Sequence, residues 1–316
     1  MTEILWDPAL TPPAELQQED LDALAAWDAA GMIVGPGEDL AQYRERLLAR
    51  FAAEQELYDA LAQDGKAEVF DGIEVRQEDR IPTEILQEAA DLTQELYGFE
   101  VRHFPGFFLS KDVGLLWGGC MISDTELPLA MFLIRSSFRN KERFFIYNRR
   151  ELQAHELCHF ARKEFKDVFL DEFFAYQTSP SGLRRYLGNC FIHQRDALYF
   201  MIPALVLLLA QSLQFFVWHH FQAEWFWIPA IGMPMYLLWR NEWSRRGYFR
   251  AVKTLRKFGV TAAEKVLFRA TPAERRELGA IRSAEELQEY LAAHQQTELR
   301  WRVIAHRFLK KEEPSA

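Results

Sequence analysis

The sequence predicts an α+β protein in which a small mixed sheet leads into an H-E-x-x-H helix. Helical N- and C-terminal regions flank this unit, and a two-helix transmembrane hairpin follows it. Three observations carry the prediction. Residues 99–147 are short aromatic and β-branched runs, residues 150–177 have helical spacing with His155, Glu156 and His159 in one turn, and residues 197–218 carry no formal charge. The chain divides accordingly into 1–98, 99–195, 196–240 and 241–316.

Composition sets the frame. A chain of 316 residues that is 49% apolar can bury a sizeable core. Its net charge of −9 argues against a nucleic-acid partner, because neutralising phosphates takes concentrated Lys and Arg. The cysteines Cys120, Cys158 and Cys190 have no disulfide-framework spacing, which favours reduced thiols and a cytosolic setting. The opening stretch MTEILWDPALTPPAE has neither a basic nor an apolar leader region, so no cleavable secretory signal is expected.

From Pro13 to Gln63 apolar residues recur at helical spacing, as in Leu21, Leu24 and Trp27, then Tyr43, Leu47 and Phe51, with a break from Gly31 to Gly37. A further helix is expected from Pro82 to Tyr97. The pattern then shifts to strands at Phe107–Leu109, Val113–Ile122, Ala130–Ser136 and Arg143–Tyr147, each bounded by Gly, Pro, Asp, Asn or Ser. The last strand runs directly into the His-containing helix.

The uncharged run Ala197–Trp218 is long enough, at about 1.5 Å per residue, to cross a bilayer core of roughly 30 Å. A second run, Trp225–Trp239, is shorter and contains Pro229 and Pro234, and would complete the hairpin or re-enter. Trp218, Trp225, Trp227, Trp239 and Trp243 sit at the run ends, as in an interfacial belt. Arg184, Arg185 and Arg195 precede the pair and Arg240 to Lys257 follow it, while the connecting HHFQAE has no Lys or Arg. By the positive-inside rule both flanks are cytoplasmic, which sets the chain in a plasma (inner) membrane with its His-containing helix on the cytosolic side. Beyond Arg250, Thr261/Glu264, Thr271/Glu274 and Ser283/Glu286 each mark a helix start.

On a helix, residues four apart point to the same side, so His155 and His159 present their imidazoles one turn apart, as two ligands of one tetrahedral Zn²⁺ require. Glu156 then projects beside the metal, where it can take a proton from a metal-activated water and pass it to a leaving amine. A third ligand must come from elsewhere. Glu172 in LDEFFAYQ would complete a His₂Glu set, with Asp171 holding a histidine N–H, and with Glu164 and Asp167 in reserve. Tyr176 or Tyr147 could donate to a developing oxyanion, or each could simply be buried. Cys158 is expected to pack in the core.

The HELCH motif resembles that of the zincin metallopeptidases, and the Glu172-Phe-Phe-Ala175 context resembles their gluzincin branch, over about residues 99–177. The resemblance implies His155, His159 and Glu172 as zinc ligands, Glu156 as catalytic base, and an edge strand that pairs with an extended peptide, a role for Val113–Ile122 or Ala130–Ser136. The expectation is a membrane-anchored zinc metallopeptidase acting on a peptide or protein substrate. Its rivals are a non-catalytic membrane protein with a structural or metal-binding helix, and a soluble peptidase whose apolar pair is core or a dimer interface.

Overall fold

The computed structural model describes residues 6–69, 72–109, 117–123, 128–145 and 147–309. The start of the acidic N-terminal stretch and the KKEEPSA tail therefore lie outside the described residues. The N-terminal region holds helices α1 (Leu21–Ala29), α2 (Leu40–Asp64), α3 (Thr83–Leu86) and α4 (Ala90–Tyr97). Asp39 starts α2 by accepting from the Gln42 N–H at 2.9 Å, and Gly65, at a φ of 70° that suits glycine, ends it. The helix expected over Pro82–Tyr97 is broken by a 3-10 turn at Gln87–Ala89. An antiparallel hairpin of β1 (Lys66–Val69) and β2 (Ile73–Arg76) follows α2, an element not anticipated above.

The main sheet has three strands in the order β3 (Gly106–Leu109), β5 (Ala130–Arg135), β4 (Gly119–Ser123), with β5 parallel to β3 and antiparallel to β4. It is a small mixed sheet, as expected. Residues 113–116 of the expected Val113–Ile122 strand lie outside the described residues. Ala130–Ser136 does not supply an edge, because β5 is paired on both sides. Its near-continuous apolar run AMFLI reflects burial of both faces. Ala130, Phe132 and Ile134 pack into the large core, while Met131 and Leu133 join Phe107 and Leu57 in a smaller cluster with α2 and the hairpin.

The expected strand Arg143–Tyr147 is instead a tight antiparallel pair, β6 (Arg143–Phe144) with β7 (Tyr147–Asn148). Phe145, with a positive φ of 52°, lies between them, so a side chain with strand propensity takes the turn position. From β7 the chain enters α5 (Arg149–Arg162), capped by Asn148, whose side chain accepts from the Glu151 N–H at 3.1 Å. Helices α6 (Val168–Gln177) and α7 (Gly182–Leu187) complete the central region.

Helix α8 (Gln194–Phe216) packs against the first half of α9 (Trp227–Lys257). One helix among the described residues, over Arg195–Phe216, is long and apolar enough to cross a membrane. It is not core: Leu209 is 63% and Phe216 76% exposed. Helix α9 does not meet the same measure, because charges fill its second half, whose inner face (Ser244, Tyr248, Ala251, Val252, Leu255) is buried.

The C-terminal helices are α10 (Ala263–Phe268), α11 (Pro272–Ala280), α12 (Ala284–Thr297) and α13 (Leu299–Phe308). Thr271 and Ser283 cap α11 and α12 as expected, whereas Ala262 rather than Thr261 precedes α10. A single core joins Trp27, Phe99, Phe174, Phe268 and Trp301, so the N-terminal, central and C-terminal regions are packed together. Buried Arg269 reinforces this by bonding Asp28 and the Tyr97 carbonyl, at 2.9 and 2.7 Å.

Candidate metal centre

Helix α5 presents His155 and His159 on one side, and α6 brings Glu172 opposite them. The reversal between the helices passes through a 3-10 turn at Lys163–Phe165 and Lys166, whose φ is 51°. His155 Nε2 lies 3.3 Å from His159 Nε2 and 3.7 Å from Glu172 Oε2, and His159 Nε2 lies 3.6 Å from Glu172 Oε1. Donors at zinc bond lengths of about 2.0–2.1 Å in a tetrahedron are separated by about 3.3–3.5 Å. The two imidazoles stand at that spacing and the carboxylate contacts are slightly longer, so the three half-buried side chains form a group that could hold one metal ion after a small closing movement of Glu172.

The electrostatics suit ligation. Burial, with neighbouring His159 and Arg184, holds His155 well below its usual range, and burial with Arg162 lowers His159 to about 4. Both rings are thus neutral at pH 7, the form that binds a metal. Burial and then Asp171 push Glu172 up to about 7. Glu156 is pushed up to about 8, chiefly by burial and further by Glu172, against the lowering effect of the Met121 N–H. Two neighbouring carboxyls that burial holds high, with Glu172 raising Glu156 further, are a setting a divalent cation would relieve.

Glu156 lies beside the three-donor set, and its Oε2 accepts from the Met121 N–H of β4 at 2.9 Å. Gly119 makes this approach possible. A Cβ there would stand 2.8 Å from the Leu133 carbonyl and 3.1 Å from Leu152 of α5. Helix α5 thereby sits directly against β4, the outer strand of the sheet among the described residues.

Asp171 does not reach a histidine. It pairs instead with Arg162 Nε at 2.6 Å, because the α6 turn that aims Glu172 at the site aims Asp171 at the buried end of α5. The backbone carbonyl of Ala175 is the acceptor beside His155. Asp167 is used as the N-cap of α6, and Glu164 packs beside Gly35. Cys158 is fully buried, as expected. The Tyr176 ring meets His155 edge to face at 4.8 Å, and Gly188 accommodates it, since a Cβ there would lie 2.3 Å from that ring. Tyr147, Tyr176, Glu151, Arg184, His155 and Glu156 line a cavity of about 160 Å³, with Arg184 paired to Glu151 at 3.0 Å.

The sequence reading missed Met121, Arg162, Glu151 and Arg184. Of these, Arg162 and Glu151 carried a local signal, lying one turn beyond His159 and one turn before His155 on the same helix. A second group, Glu274, His294 and Glu298, also converges, but Arg300 already bridges its carboxylates at 2.6 and 2.7 Å. Comparison with protein-family models, curated proteins and solved structures yields no match to this chain.

Proposed function

We propose that this chain is a membrane-anchored zinc metallopeptidase working at the cytoplasmic face of a membrane. The observation that carries the reading is the convergence of the His155, His159 and Glu172 donor atoms, 3.3 to 3.7 Å apart, with the Glu156 carboxyl alongside. Bound there, Zn²⁺ would supply Lewis acidity, lowering the pKa of a water and polarising a peptide carbonyl. The chain's own groups do the rest. Glu156 accepts the proton from water and returns it to the leaving amine, the general base and then general acid roles open to a carboxyl beside the donor set. An extended substrate would lie along β4, the outer strand beside α5. There it competes with Glu156 for the Met121 N–H, freeing the carboxylate as it binds. Tyr176 lines the same cavity and would donate to the oxyanion.

The hairpin supports the membrane half of the reading. Asp196 and Arg240, bonded at 2.7 Å, mark one level on both arms. From that level α8 rises about 30 Å to Phe216, while α9 and the 3-10 turn Ala223–Phe226 together cover about 28 Å, so the arms match each other and a bilayer core. The flanking arginines favour a cytoplasmic site.

The test is hydrolysis of unstructured peptides by carbonate-washed membranes carrying the full chain. Activity that stays with the pellet, disappears with a zinc chelator and returns with added Zn²⁺ is expected. Chelator-resistant hydrolysis would overturn the metal reading, and release into the supernatant would overturn the anchor.

A further inference from the structure

Helix α9 is continuous from its apolar first half into the core, so whatever lies at the membrane surface must meet its exposed side. That side is a stripe in alternating steps of four and three residues, Trp239, Trp243, Arg246, Arg250 and Lys253, which places all five on one helical face. The two tryptophans are each 64% exposed. Beyond them the stripe is wholly cationic. Its inner neighbours are used for packing and leave the stripe outward: Arg245 donates to the Arg185 carbonyl at 3.1 Å and stacks on Tyr186 at 5.0 Å.

Between this stripe and α7 lies a cavity of about 450 Å³ lined by Tyr186, Glu242, Phe249 and four cations, Arg245, Arg246, Arg250 and Lys253. Among the described residues, Glu242 is the one carboxylate lining it. It is shared by Arg246 at 2.8 Å and the Tyr186 hydroxyl at 3.4 Å, so the cavity keeps a clear positive excess. With Trp243 at the edge of the hydrocarbon, Arg246 and Arg250 lie about 4.5 and 10.5 Å further along the axis. A headgroup layer is about 5–8 Å deep per leaflet, so the cations fall at and just beyond phosphate level. Phe249, half exposed on the same wall, offers an apolar surface for the glycerol end of a lipid.

We propose that this cavity binds the phosphate of an anionic phospholipid headgroup, holding the peptidase body against the cytoplasmic leaflet. The inference rests on the reading that α8 and the first half of α9 lie in a bilayer. It adds a lipid class and a site. Charge complementarity selects an anionic over a zwitterionic headgroup, since a choline beside the phosphate would face the same cations. Helix α7 carries Tyr186 on this cavity and Arg184 on the cavity of the metal centre, so a lipid seated here lies one short helix from the active site.

The experiment uses the purified full chain in neutral detergent, titrated with short-chain phosphatidylglycerol, short-chain phosphatidylcholine or inorganic phosphate. The same is done for the R246Q/R250Q/K253Q variant and for R282Q, an exposed control away from the stripe. Wild type and R282Q are expected to prefer phosphatidylglycerol over phosphatidylcholine by about 100-fold, at roughly fivefold per basic residue, and the triple variant to lose that preference. Equal binding of the two lipids, or a triple variant that keeps the preference, overturns the proposal. Tight binding of inorganic phosphate alone also overturns it, in favour of a soluble phosphate ligand. Carbonate extraction separates the underlying reading: a chain that stays in the pellet without lipid preference refutes only the headgroup site. A chain released by carbonate that still prefers phosphatidylglycerol refutes the transmembrane hairpin and keeps the site.

Discussion

Replacing Glu156 by Gln is expected to lower peptide hydrolysis by about 10³-fold or more while bound zinc stays at the wild-type level. The side chain touches none of the three ligands' roles, and Gln has the same shape, so the donor set of His155, His159 and Glu172 should persist. What is lost is the proton acceptor. The Gln carbonyl oxygen can still accept from the Met121 N–H, so the seam between α5 and β4 should remain closed and thermal stability should not fall. Stability at pH 8 and above is expected to rise, because the buried carboxyl that must ionise there, pushed up to about 8 by burial and by Glu172, is removed. The combination of lost turnover, kept zinc and unimpaired folding is specific to a catalytic base. Unchanged hydrolysis would remove Glu156 from the mechanism.

A second large effect is expected at Arg162. This residue is fully buried, bonds Asp171 at 2.6 Å and lies against the rings of Phe165, Phe174 and Phe268, at 4.4, 4.9 and 5.5 Å. It also donates to the Phe268 carbonyl, tying α5 to α10. Arg162→Met should cost about 3 kcal/mol, because it leaves the half-buried Asp171 without its partner and removes the bond to the Phe268 carbonyl. Calorimetry or denaturant unfolding measures this directly. The double variant R162M/D171L removes both charges and is expected to regain most of that stability. Zinc affinity should remain about 10–100-fold weakened in the double variant, since the pair also sets the register of α6 that aims Glu172. Full recovery of zinc affinity would show that the pair only stabilises the core.

The site was legible in proportion to how local its geometry is. The relation of His155, Glu156 and His159 is fixed by helical periodicity alone, and the motif was readable without tertiary information. Glu172 required only a turn and a second helix. The partners of these residues were not legible, because they are set by packing. Met121 reaches Glu156 through the register of β4 against β5 and the bare backbone at Gly119, and no spacing in the chain encodes that distance. Asp171 was expected to serve a histidine, yet the side chain one step from Glu172 points into the core, where Arg162 waits. In the fold, short aromatic and branched runs bounded by turn residues gave away the sheet. The pairing order that makes 119–123 rather than 130–136 the edge is a tertiary fact. The β1–β2 hairpin did carry a local signal, the Asp71-Gly72 dipeptide, which marks a turn between two short strand-like runs. The turn at Phe145 carried none, since an aromatic residue at positive φ runs against local preference.

The most direct test of the account is the metal content of the purified full chain and of its His155→Ala and Glu172→Ala variants, by elemental analysis after dialysis against metal-free buffer. One zinc per chain in the wild type, and loss of most of it in both variants with folding intact by circular dichroism, is the predicted result. Stoichiometric zinc in Glu172→Ala would contradict the three-ligand site, and a wild-type chain that takes up no zinc would contradict the metal centre itself.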